Sequence, residues 1–313
     1  MPRYLVTGGA GFIGAPLVES LIRDGIGVCV LDDLSTGRRE RLPAGAEFVQ
    51  QDVTDPRAIR HALEGADGCF HLAGIASVER SRREWRRVHV VNVTGLVTLL
   101  DQVGRQQSRS GRRMPVVYAS SAAVYGEGGR LPLSEAMPTQ PVSGYGADKL
   151  ACEQYAAVAA RLFGVPGIGL RLFNVYGPPQ LPRDACPGVV ATFIDRLLRG
   201  QPMDLCGDGE QVRDFVYLGD AVAAIRRAMA IATTDPIVTN VCTGRGTTIR
   251  ELGLMLAALA GVAPAFHRQP SAAGDIRISV GHPGRSDELL GLGPKTGLEH
   301  GLALTLAGYR QGA

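Results

Sequence analysis

The sequence predicts an α/β fold, a doubly wound parallel sheet with helices on both faces. Short apolar runs alternate with helical patterns up to about residue 172. A glycine-rich turn joins the first run to the first helix, and an acidic pair closes the second run. Ligands of such sheets bind beyond the carboxyl ends of the strands, where both features lie.

The chain opens on Arg3-Tyr4-Leu5-Val6-Thr7, a short apolar strand. Gly8-Gly9-Ala10-Gly11-Phe12-Ile13-Gly14 follows, then a helical pattern from Ala15 to Arg23 that Asp24-Gly25 ends. Without Cβ atoms at Gly8, Gly11 and Gly14, the backbone can turn tightly and approach a pyrophosphate on the helix N-terminus. The second strand, Val28-Cys29-Val30-Leu31, ends at Asp32-Asp33. An acid about 20 residues past the glycines accepts hydrogen bonds from an adenosine ribose, and its charge repels a 2′-phosphate. The pattern predicts NAD rather than NADP, with Arg38 and Arg39 as the opposing feature.

Further strands are expected at Glu47–Gln51, Gly68–His71, Val116–Ser120 and Ile168–Leu172, with helices at Arg57–Leu63 and Leu150–Phe163. The basic run Arg80–Arg87, with Trp85, reads as the solvated start of a helix continuing through Asn92 to Leu100. Arg105–Arg113 reads as an exposed loop. After Pro178-Pro179 the alternation breaks into a loop rich in Pro and Gly, a helix at Val189–Arg199, and turns around Gly207 and Gly209.

Of 33 basic residues only two are lysines, and one of them, Lys149, stands four residues after Tyr145. On a helix these positions share a face, one turn apart. The ammonium is a compact point charge, unlike the arginine fork. Near the phenol it lowers a pKa whose reference is about 10, which makes Tyr145 a usable base near neutral pH.

Composition sets bounds. A chain of 313 residues with 45% hydrophobic content can bury a sizeable core. It has no apolar run of about 18 residues, so no membrane partner is expected. The N-terminus lacks a signal pattern and enters a strand at once, which predicts a cytoplasmic protein. The six cysteines are widely spaced with no C-x-x-C, and the histidines lack metal-ligand spacing, so reduced thiols and no metal are expected. A net charge of +3 is too small to imply nucleic acid.

Over essentially its whole length the chain resembles the extended short-chain dehydrogenase/reductase family. Its closest likeness is to the nucleotide-sugar epimerases and dehydratases of the UDP-glucose/UDP-N-acetylglucosamine 4-epimerase type. Thr7 to Gly14 and Leu31 to Gly37 carry the likeness, with Asn92-Val93-Thr94-Gly95, Tyr118 to Gly126, Tyr145 to Lys149, Arg171 to Pro178 and Gly207 to Phe215. The resemblance implies a Rossmann-type NAD-binding domain over residues 1–173 plus about 215–243. A smaller nucleotide-sugar-binding lobe would take 174–214 and 244–313, and the partner would be a second copy in a homodimer.

It also implies roles. Gly8, Gly11, Phe12, Ile13 and Gly14 would cradle NAD; Asp32, Asp33, Ser35, Thr36 and Gly37 its adenosine ribose; Asp52 and Val53 the adenine. Leu72, Ala73, Asn92, Ser120 and Phe173 would complete the cofactor site with Tyr145 and Lys149. Tyr145 would take the proton from the sugar 4-hydroxyl while Ser121 hydrogen-bonds the same oxygen. Lys149 would anchor the nicotinamide ribose. Asn174, Val189, Arg213, Asp275 and Ser279 would hold the nucleotide sugar. The implied reaction is epimerisation at C4 through a transient 4-keto sugar. A 4-ketoreductase, a UDP-glucuronate epimerase or another family oxidoreductase shares these motifs. A non-catalytic NAD-sensing protein of this fold would be expected to have lost Tyr145 or Lys149.

Departures from the family pattern narrow the substrate. Ala122 and Ala123 stand where the related dehydratases carry an acid pair, which disfavours dehydration. Leu181 replaces the arginine of the glucuronate epimerases, although Arg183 is close by. Ala272 replaces an arginine expected on the pyrophosphate, a role left to Arg268 or Arg277. Cys206 replaces the aromatic that stacks on uracil. Ser279, four residues past Asp275, is small where a large aromatic would exclude a 2-N-acetyl group.

Overall fold

The computed structural model describes residues 1–178, 180, 187–270, 276–292 and 296–311. Leu181, Arg183, Cys186, Ala272 and Asp275 lie outside the described residues. The chain divides into two compact units, one of residues 1–124, 143–171 and 222–239, the other of 125–142, 172–221 and 240–313.

The strands are β1 (Arg3–Thr7), β2 (Gly27–Asp32), β3 (Glu47–Gln50), β4 (Gly68–His71), β5 (Val116–Ser121), β6 (Gly167–Leu172), β7 (Asn174–Tyr176), β8 (Met203–Cys206), β9 (Val212–Tyr217), β10 (Ile237–Val241), β11 (Gly246–Thr248), β12 (Phe266–Gln269) and β13 (Ile278–Ser279). The helices are α1 (Gly14–Arg23), α2 (Pro56–Ala62), α3 (Val78–Arg83), α4 (Trp85–His89), α5 (Gly95–Ser110), α6 (Gly144–Phe163), α7 (Val189–Leu198), α8 (Leu218–Ile231), α9 (Ile249–Ala260), α10 (Gly284–Leu290) and α11 (Leu298–Gln311).

The first unit is built on a seven-stranded sheet in the order β10-β6-β5-β4-β1-β2-β3, with β1 parallel to β2 and β4. Leu5 and Val6 face opposite ways yet both are fully buried, because helices cover both faces. The strand order proceeds one way from β1 through β2 to β3 and the other way from β4 through β5 to β6, which puts the topological switch point at the carboxyl ends of β1 and β4.

Three expectations change here. Residues 80–100 are not one helix: Glu84, at φ −125° and ψ 39°, separates α3 from α4. A π-helical stretch at Val90–Thr94 then leads into α5. Such π-bulges recur at functional sites. Arg105–Ser110 is helical rather than a loop, supported by the Arg105–Asp101 pair one turn apart. The helix stops where Gly111 takes a left-handed φ of 67°. Finally, α6 begins at Gly144, where the Ser143 hydroxyl accepts from the Gly146 N–H at 3.0 Å, so Tyr145 and Lys149 sit in its first two turns.

In the second unit β9 lies between β11 and β13 and also pairs β7, while β8 and β12 form a parallel pair. Its core gathers Phe193, Ile194, Leu205, Phe215, Leu252, Leu256 and Leu302 from α7, α9, α11 and these strands. The unit boundaries differ from those expected. Residues 125–142 join this unit because the Tyr125 hydroxyl donates to Asn240 Oδ1 at 2.7 Å, and Asn240 Nδ2 donates to the Leu133 carbonyl at 2.9 Å. Residues 215–217 join it through the pairing of β9 with β7.

Candidate active site

In the first unit the glycine turn and the end of β2 are tied together by backbone. Gly8 N–H donates to the Leu31 carbonyl at 2.9 Å, and Ala10 N–H to Asp32 Oδ2 at 3.0 Å. Gly8 has φ 68°, and a Cβ on Gly14 would fall 2.1 Å from the Gly8 carbonyl oxygen. Only glycine permits so close a return of the chain. The N-cap of α1, Ile13, offers no side-chain acceptor to the first-turn amides. The Ala15 and Leu17 amides are taken by the Gly11 and Ile13 carbonyls and Pro16 has none, so the anion site falls to the amides of the turn itself, at Phe12, Ile13 and Gly14. The cradle therefore fits a dinucleotide pyrophosphate.

Asp32 is 7% exposed and also accepts from the Leu34 N–H at 2.9 Å. Burial pushes its carboxyl up, opposed by the two backbone N–H donors. Gly37 lies over it, and a Cβ there would come 2.8 and 3.0 Å from the two carboxylate oxygens. Asp33 and Asp52 are exposed and cap their own turns, Asp33 on Ser35 and Asp52 on Thr54, while Thr36 lies exposed beside Ser35. Val53 is buried under Gly95. Arg39, which opposed NAD in the sequence, lies over the Phe48 ring at 4.6 Å.

At the end of β4, His71 Nδ1 is 2.9 Å from the buried Thr7 hydroxyl, whose oxygen also accepts from the Ala73 N–H at 3.3 Å. Burial, aided by the Lys149 charge, pushes His71 down to about 3, so the ring stays neutral beside that ammonium. Leu72 and Ala73 crowd Gly8 from the other side of the crevice. Asn92 is buried and closes on Ile75, accepting from its N–H at 2.7 Å and donating to its carbonyl.

Lys149 Nζ donates to the Ala119 carbonyl at 2.9 Å and stands 5.9 Å from the Tyr145 ring centroid. A backbone carbonyl of β5 thus fixes the ammonium against the phenol ring. Ser121 ends β5, and its half-buried hydroxyl oxygen accepts from the Ala123 N–H at 3.1 Å. Ser120, expected on the cofactor, turns its hydroxyl inward, where it donates to Glu153 Oε1 at 2.6 Å. Glu153 also receives Arg171 at 2.9 and 2.8 Å. Their pairing was not legible in the sequence, because only the tertiary structure brings them together.

In the second unit Arg213 and Ser279 are register partners on β9 and β13, and Asn174 on β7 pairs Phe215 on β9. Ser279 is 7% exposed and Phe173 5%. Val189 opens α7 and is half-buried. Asp214 was also missed. Its buried carboxylate accepts from Thr243 N–H and Oγ1, Gly244 N–H and Gly281 N–H at 2.8, 2.6, 2.9 and 3.3 Å. Arg277 grips Asp208 with two hydrogen bonds at 2.7 and 2.8 Å. Cys206 is exposed.

Residues 4–242 match the sequence profile of the NAD dependent epimerase/dehydratase family. A UDP-glucose 4-epimerase of Mycolicibacterium smegmatis is 39% identical over 316 residues, 98% of each chain. The crystal structure of a UDP-glucose 4-epimerase from Thermotoga maritima with UDP-glucose superposes with TM-score 0.94 at 38% identity over 99% of both chains. That of the Thermus thermophilus UDP-glucose 4-epimerase in complex with NAD gives TM-score 0.92 at 37% identity, covering 99% of this chain and 100% of that one.

Gly37→Ala would force Asp32 or the Ala10 turn to move. We expect NAD retention to weaken by about 10-fold, in line with the roughly 1–3 kcal/mol that overpacking costs. Cofactor released from the denatured variant and its parent measures this. An unchanged NAD content would show that the Asp32 carboxylate does not set the ribose site.

Proposed function

Because the chain belongs to the NAD dependent epimerase/dehydratase family, we propose that it epimerises C4 of a nucleotide diphosphate sugar of the UDP-glucose/UDP-galactose type. The observation that carries this is the pair at the head of α6: Lys149, fixed by the Ala119 carbonyl, against Tyr145. The glycine turn and Asp32 would hold NAD, which would supply first the acceptor and then the donor of the C4 hydride, so that C4 is transiently a ketone and is reduced again on its opposite face. The phenolic oxygen of Tyr145 takes the proton of the 4-hydroxyl, and Ser121 hydrogen-bonds the same oxygen. Lys149 holds the nicotinamide ribose and presents its charge to the ring. After the keto sugar turns over, Tyr145 returns the proton and the C4 configuration is inverted. Asn174, Val189 and Arg213 hold the nucleotide diphosphate, Arg213 by charge-assisted hydrogen bonds. Ala122 and Ala123, in the turn after β5, supply no acid for a dehydration.

A ketoreductase would consume the cofactor in stoichiometric amounts, whereas an epimerase recycles it in place. We expect catalysis of UDP-glucose/UDP-galactose interconversion with no net NADH. Tyr145→Phe should lower kcat by about 10³-fold or more with fold and bound NAD intact. Lys149→Arg should also be strongly impaired. An active Tyr145→Phe protein would sink the mechanism.

On this reading Ser279, small and in register with Arg213, faces the sugar C2. UDP-N-acetylglucosamine should therefore be epimerised as well, and Ser279→Tyr should abolish that reaction while sparing UDP-glucose. Rejection of the N-acetyl sugar by the parent protein would defeat this assignment.

A cytoplasmic homodimer belongs to the same proposal. Tyr155, Val158, Leu162 and Phe163 leave an exposed apolar stripe on α6, 45–70% exposed. The five cysteines among the described residues are unpaired, as in a reducing compartment, and no described helix is long and apolar enough to cross a membrane. Light scattering should give twice the chain mass, and Leu162→Glu should lower it to one chain; a parent protein of one-chain mass would contradict the dimer.

A further inference from the structure

We propose that Asp148, held by His89, is a positioning residue for Tyr145 and Lys149. This rests on the reading of those two residues as the reacting pair. Asp148 lies between them in sequence and is 3% exposed. Its Oδ1 is 2.8 Å from His89 Nδ1, while its Oδ2 has no hydrogen-bond partner among the described residues. A buried carboxylate with one oxygen unmatched is a poor stabilising device. Its value lies in where it holds the helix.

Residues four apart form a ridge along a helix. On α6 the ridge Gly144, Asp148, Cys152 meets the segment running from α4 through the π-helical stretch at each of its three positions. A Cβ on Gly144 would lie 3.1 Å from Trp85 Nε1. Asp148 meets His89, and the Cys152 thiol donates to the Asn92 carbonyl at 3.3 Å. Tyr145 and Lys149 form the adjacent ridge, one residue further round the helix. The two ridges are rigidly coupled, so the depth and rotation of the first turns of α6 set where the phenol and ammonium point. Trp85 and Cys152 make apolar or weak contacts. The His89–Asp148 hydrogen bond is the directional one of the three.

Trp85 is the only tryptophan of the chain and lies against Gly144, so its fluorescence reads the packing of this face of α6. His89→Leu removes the donor at a half-exposed position and should leave the fold and the NAD content unchanged. We expect it to shift the Trp85 emission and lower kcat by about 10–100-fold with KM little altered, the effect of a small misplacement of reacting groups. Asp148→Ala should do the same, and Asp148→Asn, which keeps an acceptor for the His89 N–H, should recover most of the lost turnover.

Three results would overturn the proposal. The first is unchanged kcat and emission in His89→Leu. The second is an Asp148→Asn protein as impaired as Asp148→Ala, which would assign the effect to charge. The third is a loss in Asp148→Ala that disappears when turnover is expressed per folded, NAD-loaded subunit. Tyr145→Phe measured alongside separates the two levels: if it stays active, the reacting pair is wrong, while the His89→Leu emission still decides the positioning.

Discussion

Glu153 on α6 reaches two strands at once. One oxygen takes the Ser120 hydroxyl from β5, and both take the guanidinium of Arg171 from β6. The side chains of this ion pair are only 5% and 7% exposed. Removing one partner would strand the other charge in the core, at a cost of about 3–5 kcal/mol. Two residues of the proposed mechanism sit on these same elements, one step away: Ser121 follows Ser120, and Lys149 lies one turn before Glu153. The buried pair thus aligns α6 with β5 and β6. Lys149, itself only 6% exposed, adds to the alignment by donating to the Ala119 carbonyl.

The cofactor crevice obeys a different constraint, the close approach of backbone to backbone. Gly8, Gly14 and Gly37 stand where a methyl group would collide with a carbonyl oxygen, a neighbouring chain segment or the Asp32 carboxylate. Asp32 in turn is oriented by the amides of Ala10 and Leu34. The placement of the acid is therefore inseparable from the glycine turn beside it. Beside it, the neutral His71 ring adds no second positive charge next to Lys149.

In the second unit Asp214 has the organising part. Its four hydrogen bonds join β9 to residues 243–244 and to Gly281, two positions beyond Ser279. Arg213 and Ser279 owe their adjacency to that pinning and to the parallel register of β9 with β13. Neither residue could be placed beside the other by its spacing in the chain.

Local rules determine much of this protein. The glycine turn, the acid ending β2 and the Tyr145–Lys149 spacing were legible because each depends on residues within a turn or two of one another. With family resemblance they specify the α/β fold, NAD and the reaction. The interruptions at Glu84 and Val90–Thr94 were not legible, since propensity favours a continuous helix there and packing against α6 overrides it. The start of α6 was also missed, because Gly144 and Gly146 weaken the helical pattern that Ser143 and the packing under Trp85 restore. The partners of Ser120, Asp148 and Asp214 were decided by tertiary structure alone. They lie 33, 59 and 29 to 67 residues away, and a buried polar group takes whichever partner the folded core brings within reach.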